Sequence, residues 1–375
     1  MAERSGPSRI VALVLIGLGA FLVVAAILIP TYTVLALGKT PLDLEVTTVS
    51  TGEGSVLNSS SLAAGRAVVD ENVPLVSQRF VTVEDPSNAD IMTLQAGQTL
   101  RRSDKQADTG LLTANVDRVT VDRKTSMPVD NPIGTIQVSG DKPAEEVAHT
   151  GLQYKFPFNA EQKSYPYFDI NARASKDIDF VEATEINGTP VYKYQQTVGP
   201  VDLSTVVNLP TNKVTLPADT WGVEGGTEPV TMTRWYENTR TVWVEPETGV
   251  IVKGEEQLHQ YYAREAGTPE VDVLKAPITF DENTVEYQIQ QAKDGQDKIS
   301  LFGRTIPIVA GVLGVIALIA GVFLLLRGGN GDHRQPARAD NAPRPNPAGG
   351  AAPAPGRDWT TDRTEEIPRT NLSKE

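Results

Sequence analysis

Two charge-free apolar runs, one near each end, limit what this chain can fold into. Thr305 to Leu326 (TIPIVAGVLGVIALIAGVFLLL) passes twenty-two residues without a charge between Arg304 and Arg327; Ile10 to Ile29 (IVALVLIGLGAFLVVAAILI) passes twenty, behind Arg4 and Arg9. At about 1.5 Å of rise per residue, either run spans the roughly 30 Å hydrocarbon core of a bilayer as a helix. The sequence therefore predicts transmembrane helices over 10–30 and 305–326, with Pro30 closing the first. A cleaved secretion signal is the alternative for the first run. A signal core is only about 7 to 15 residues, however, and Pro30, Thr31 and Tyr32 stand where a small-x-small cleavage site belongs.

Basic residues orient the pair. Arg4 and Arg9 precede the first run and Arg327, Arg334, Arg338 and Arg344 follow the second, whereas the first basic residue after the first run is Lys39. Cytoplasmic flanks carry the excess of Lys and Arg, so residues 1–9 and the tail 327–375 are expected inside the cell. The central segment 37–303 is then extracytoplasmic, in a two-pass protein of the plasma membrane. The tail, rich in Pro, Ala, Arg and Gly, lacks apolar residues for a core and is expected to be disordered.

The central segment reads as β-rich, mainly antiparallel, with some helix. Leu42, Leu44 and Val46 alternate with polar residues within Pro41 to Ser50, the period of a half-buried strand. The glycines and serines of 50–65 read as a loop. Strands over Val76 to Glu84 and Ile91 to Leu94 flank the turn formers Asp85 to Asn88, and Leu111 to Lys124 continues the pattern. A subdomain boundary is expected near 141–150. Asn187-Gly188 between two β-rich runs predicts a tight hairpin, because both turn residues need positive φ. A second hairpin is read over Thr231 to Tyr236 and Thr239 to Val244, and a turn at Pro246 to Gly249. Thr284 to Lys293 has helical spacing, Asp281 or Asn283 as a cap, and Gly295 as its end.

Charge excludes some functions. The whole chain carries −13 and the exported part about −15, which does not suit nucleic acid. There is no cysteine, hence no thiolate nucleophile, disulfide or thiolate metal site. His149 and His259 lack partners at ligand spacing, so neither a metal nor a cofactor is expected. Carboxylate pairs among Glu245, Glu247, Glu255 and Glu256 could serve glycoside cleavage, but close pairs arise by chance in so acidic a segment.

Two features point to binding. Tyr154, Phe156, Phe158, Tyr165, Tyr167 and Phe168 lie within fifteen residues. They are either a core seam or an aromatic wall for an acyl chain or sugar, with Tyr154, Phe156 and Phe158 on one strand face. On the second apolar run Ala310, Gly314, Ala317 and Gly321 form a stripe of small residues that lets another helix approach closely. The expected partner is the first helix, through Gly17 and Ala20, or a larger transporter.

The two-anchor layout, the block FPF…KSYPYFD (Phe156 to Asp169) and the turn WVEPETG (Trp243 to Gly249) resemble the actinobacterial porin A-like family. The resemblance covers nearly the whole chain apart from the tail. It implies a plasma-membrane protein of a mycolate-bearing envelope, in a family connected with glycolipid maturation or trafficking and with polar growth. Two helices do not enclose a pore, and a spanning barrel needs outward apolar bands. The sequence alone thus favours a non-enzymatic protein that binds or hands on a lipid or glycolipid. The alternative is a scaffold recruiting transport or envelope-synthesis proteins, and a porin or a glycoside hydrolase ranks below both.

Overall fold

The computed structural model describes residues 7–327. Helix α1 (Pro7–Leu37) is followed by strand β1 (Glu45–Leu57), the short helix α2 (Ser59–Ala63), β2 (Val69–Glu84), β3 (Ile91–Arg102) and β4 (Leu111–Asp122). Two short strands, β5 (Thr135–Gln137) and β6 (Glu145–Glu146), lead to β7 (Tyr165–Asp169), β8 (Ala174–Ile186) and β9 (Thr189–Asp202). After the helical turn α3 (Leu203–Val206) come β10 (Lys213–Pro217), the turn α4 (Ala218–Trp221), β11 (Pro229–Val244), β12 (Ile251–Ala263) and β13 (Val271–Phe280). The chain ends in α5 (Glu282–Ser300), a π turn over Leu301–Thr305, and α6 (Ile306–Arg327).

One path of antiparallel pairing runs β6-β5-β4-β3-β2-β1-β13-β12-β11-β9-β8-β7, with β10 on the side of β11. The segment after β6 joins the two ends of this path. The Val147 amide donates to the Gly134 carbonyl beside β5. Further on, the Leu152 amide donates to Pro166 and Leu152 accepts from the Phe168 amide, in parallel pairing with β7. Ile136, Val147 and Phe168 pack together across this seam. The sheet is thereby bent into a ring, and the stretch 141–150, read above as a subdomain boundary, carries part of its closure.

Several local rules operate as the sequence indicates. Asn187 and Gly188 both have positive φ, at 49° and 77°, and Ile186 pairs with Thr189 across the turn. Asp281 caps α5 by accepting from the Thr284 amide at 2.7 Å. Elsewhere tertiary contacts override local signals. Residues 50–57 are strand, not loop, because Gly52 and Gly54 let β1 lie against β13. A Cβ at Gly52 would fall 2.0 Å from the Pro277 carbonyl oxygen. Residues 229–244 are one strand rather than a hairpin, with β9 and β12 pairing along both its edges.

Pro30 lies inside α1 rather than ending it, and beside it the Thr31 hydroxyl donates to the Leu28 carbonyl at 2.8 Å. Side-chain hydroxyls of this kind satisfy carbonyls near a helix interruption in an apolar setting. Gly295 does not end α5 either. It gives room for Thr248, whose Cγ2 would stand 2.9 Å from an added Cβ. Helix thus continues from Glu282 to Arg327, and both end helices are long and apolar enough to cross a membrane. The N-terminal residues 1–6 and the tail, expected above to be disordered, lie outside the described residues.

Three packed clusters fill most of the ring. Leu75, Leu100, Val198, Tyr236, Leu274 and Ile278 meet at one end. Phe156, Tyr165, Tyr167, Ile178, Tyr194 and Val244 form another group, and Val81, Met92, Leu94, Val119 and Val121 cover the inner face of β2–β4. On the outside, the exposed large apolar side chains of the described strands are scattered: Phe80, Leu111, Val116 and Val181. Such a surface does not form the continuous apolar band that a membrane-spanning barrel requires.

Candidate functional site: a chamber inside the strand ring

The ring is not filled throughout. A cavity of about 440 Å³ lies between the inner faces of β1–β3, those of β11–β13, and α5. On α5 its lining falls at Gln288, Gln291, Gly295 and Lys298, the spacing of a single helix face. At one end it is bounded by Lys39, Thr40 and Pro41, just past α1, and by Lys298 and Ile299, just before the π turn. The chamber therefore reaches the two places where the ring joins the apolar helices. Lys39 is fixed there by an ion pair to Asp90 at 2.8 Å, and Thr40 by the Arg123 guanidinium on its carbonyl at 2.8 Å. Asn88 closes its own turn on the amides of Asp90 and Ile91.

Within a strongly acidic chain this lining is basic. Lys39, Arg79, Arg123, Lys155, Arg240 and Lys298 face it, against Glu255, Glu256 and Asp294. Strand register places two of these cations. Gln196, Arg240 and Glu256 stand opposite one another on β9, β11 and β12. The Arg240 guanidinium donates to Glu256 at 2.9 Å, to Gln196 at 2.8 Å and to Asp169 at 3.0 Å. Burial alone would raise the Glu256 carboxyl, but Arg240 and Arg79 outweigh it and hold it below its ordinary range. A buried charge so enclosed is a fixed part of the wall.

Arg79 differs. It stands on β2 opposite Gln98 of β3, and its Nε and Nη2 both donate to Gln98 Oε1 at 3.2 Å. Its guanidinium lies 5.8 Å from the centre of the Tyr154 ring. Lys155 is placed by the loop between β6 and β7. Its ammonium sits 3.8 Å over the Phe158 ring and donates to the Phe156 carbonyl at 3.1 Å. Burial pushes this lysine down to about 7, opposed only in part by the Glu245 carboxylate.

The loop carrying Lys155 is held by a buried polar knot. Asp117 of β4 takes His149 Nε2 and Gln153 Nε2, each at 2.9 Å, and the Tyr154 hydroxyl. His149 Nδ1 lies 2.9 Å from the Val147 carbonyl. Burial first, and Asp117 second, push the Tyr154 hydroxyl well above its ordinary range. This histidine joins the closing segment to β4, and no group of three or more His, Cys, Asp or Glu among the described residues could hold a metal.

The aromatic residues singled out by the sequence divide between wall and core. Tyr154, Phe158, Tyr167 and Phe168 line the chamber. Phe156 and Tyr165 do not: Phe156 is fully buried, with its ring 4.8 Å from Tyr194 and 5.5 Å from Tyr165. The expectation that Tyr154, Phe156 and Phe158 share one strand face is corrected, since these residues form a loop that turns Phe156 into the core. The carboxylates considered for glycoside cleavage are dispersed. Glu245 caps its own turn on the amides of Glu247 and Thr248 and takes Gln296 of α5, while Glu256 belongs to Arg240.

Of the small residues on α6, Gly314, Ala317 and Gly321 are buried and Ala310 half-buried. A Cβ at Gly314 would stand 2.9 Å from the Gly19 carbonyl oxygen, and one at Gly321 2.9 Å from that of Ala12. The facing residues on α1 are thus Ala12 and Gly19. Gly17 and Ala20, expected above, are exposed on other faces.

The residues that sequence reasoning passed over are Arg79, Lys155 and Arg240. A signal existed for Arg79, which occupies an inward position of β2 two residues from Ser77 and from Val81, both buried.

A chambered antiparallel β-ring carried between two helices of membrane-crossing length is the class of protein defined by these features. The family model described as "Porin PorA" matches residues 11–323, and the chain belongs to this family. It is similar to the "Porin PorA" of Corynebacterium resistens, 32% identical over 85% of this chain and 97% of that protein. It is also similar to the "Porin PorA" of Corynebacterium amycolatum, 31% identical over 82% of this chain and 96% of that one. These findings overturn the functional expectation from sequence. Carriage of a lipid or glycolipid was preferred and a porin ranked low, whereas the family and both relatives are named as porins. The objection that two helices do not enclose a pore holds for one chain but does not bear on several.

Proposed function

We propose that this chain is a channel-forming subunit of the cell envelope. In this reading α1 and α6 cross the plasma membrane with both chain ends in the cytoplasm, and the strand ring stands outside as a vestibule. Further copies of the chain are the partners, because one pair of helices leaves no room for water between them where Gly19 meets Gly314.

The observation that carries the reading is the position of the chamber. Its lining begins at the two joints with the apolar helices, at Lys39 and at Lys298, and extends inward to Arg79 and Arg240. A solute leaving an assembly of helix pairs at the membrane surface would meet this opening first. The basic character of the lining, set in an acidic chain, favours a vestibule that sorts solutes by charge, as rings of charged side chains do in channels. The relatives' names support the same class of activity.

The test is conductance. Full-length protein purified in detergent and reconstituted into planar bilayers is expected to give discrete current steps whose frequency rises more steeply than linearly with protein concentration. Silent bilayers over a wide concentration range, with the protein shown to be inserted and folded, would remove the proposal.

A further inference from the structure

We propose that Arg79 and Lys155 form a capture site for a free anionic solute, a phosphate or carboxylate compound, on the chamber wall. This rests on reading the chamber as part of a permeation path. It adds the class of solute and the residues that hold it.

The argument begins with what these two cations lack. Of the other cations on the lining, Arg240 is paired with Asp169 and Glu256, Lys39 with Asp90, and the Arg123 donors are taken by three backbone carbonyls. Arg79 has two bonds to one neutral amide oxygen, and Lys155 has one backbone carbonyl and a ring face. A partly buried cation with only neutral partners has lost water without gaining a counter-charge, a state relieved by bringing an anion to it. In keeping with this, burial pushes Lys155 down to about 7.

The second observation is placement. Arg79, the Tyr154 ring beneath its guanidinium, and Lys155 all line the same chamber. Asp117 holds the Tyr154 hydroxyl, and Asp117 is itself satisfied by His149 and Gln153. The carboxylate that anchors the loop is therefore occupied and does not neutralise Arg79. The charged group facing Lys155 from other elements is Glu245, and Arg79 is felt by Glu256, which is already shared with Arg240. A volume of about 440 Å³ lies within the range of small-molecule sites. Guanidinium presents paired donors to an oxyanion and ammonium adds a point charge, the combination that binds phosphate and carboxylate.

The experiment uses full-length protein in detergent with inorganic phosphate as the probe. Titration by calorimetry at pH 6.5 is expected to be saturable. Arg79→Gln should weaken it by about tenfold, as for loss of one charge-assisted hydrogen bond, and Lys155→Gln similarly. At pH 8.5, where Lys155 is largely neutral, wild-type binding should fall to that of Lys155→Gln. A second readout needs no variant: phosphate should slow acylation of Lys155 by an amine-reactive reagent, followed by peptide mass spectrometry. Equal affinity in the double variant, unprotected Lys155, or attachment only to vesicles containing anionic lipid would each overturn the site. Phosphate binding without conductance would leave the site and remove the channel. Conductance without phosphate binding would do the reverse.

Discussion

Gly314 of α6 and Gly19 of α1 meet backbone to backbone: an added Cβ on Gly314 would lie 2.9 Å from the Gly19 carbonyl oxygen, and one on Gly19 2.7 Å from the Gly314 carbonyl oxygen. Reciprocal contact this close leaves no space for a side chain on either helix. In a bilayer, where the hydrophobic effect does not drive helices together, such packing is what holds them.

Gly314→Leu is accordingly expected to separate the pair. The chain has no cysteine, so the contact can be read by introducing two. Ala12→Cys with Gly321→Cys should form a disulfide on mild oxidation, and adding Gly314→Leu should abolish it. A cross-link formed equally in both backgrounds would show that the pair tolerates the leucine.

Phe156 is fully buried among Tyr165, Tyr167 and Tyr194. Phe156→Ala should cost about 3 to 5 kcal/mol of stability in denaturant unfolding, the usual range for a core aromatic. Phe158→Ala, at the half-buried chamber wall, should cost clearly less. Near-equal losses would contradict the division between core and wall.

Lys155 predicts a pH dependence whose sign is fixed by the direction of its shift. The folded state releases the proton near pH 7, while the unfolded chain keeps it up to about 10.5. Between these values the unfolded state binds more protons, so stability should rise with pH across that window. Below about 7 the cost of enclosing the charge is present in full. Lys155→Met should flatten this part of the profile. A profile unchanged by the substitution would mean that the ammonium is solvated.

Topology is tested by labelling. A cysteine at Asn187, on an exposed hairpin turn, should react with an impermeant maleimide on intact spheroplasts, and one at Ser5 or Ala348 should not. The opposite pattern would invert the proposed orientation.

What the sequence disclosed follows from the range of the interactions involved. Local chemistry was readable: the length of the apolar runs, the positive-φ pair Asn187-Gly188, the Asp281 cap and the turn at Pro246 to Gly249. Gly52, Pro30 and Gly295 were misread for a common reason. Each has a breaker's local signature, and each is used in a contact with a partner outside its own segment or in an apolar setting. The chamber was the least legible feature. It exists because residues 147–152 reach both β5 and β7, and no pattern within a window of residues reports that closure. Lys155 and Arg79 lie 76 positions apart. The aromatic block drew attention for its composition, while the cations beside it carried the more specific geometry.

The helix that runs from Glu282, through the π turn at Leu301–Thr305, to Arg327 has a mechanical consequence. At about 1.5 Å per residue it is roughly 70 Å long, and only about half of that length is apolar. The remainder, a stiff mast above the membrane in the proposed topology, is tied to the ring by Gln288 on the Ile251 carbonyl and Gln296 on Glu245. One wall of the chamber is thus the upper half of the same rod whose lower half is apolar. Under the proposed topology, a bilayer that thinned or thickened and tilted this rod would swing the joint at Lys298 with it, so the mouth of the chamber would be geared to the membrane beneath it.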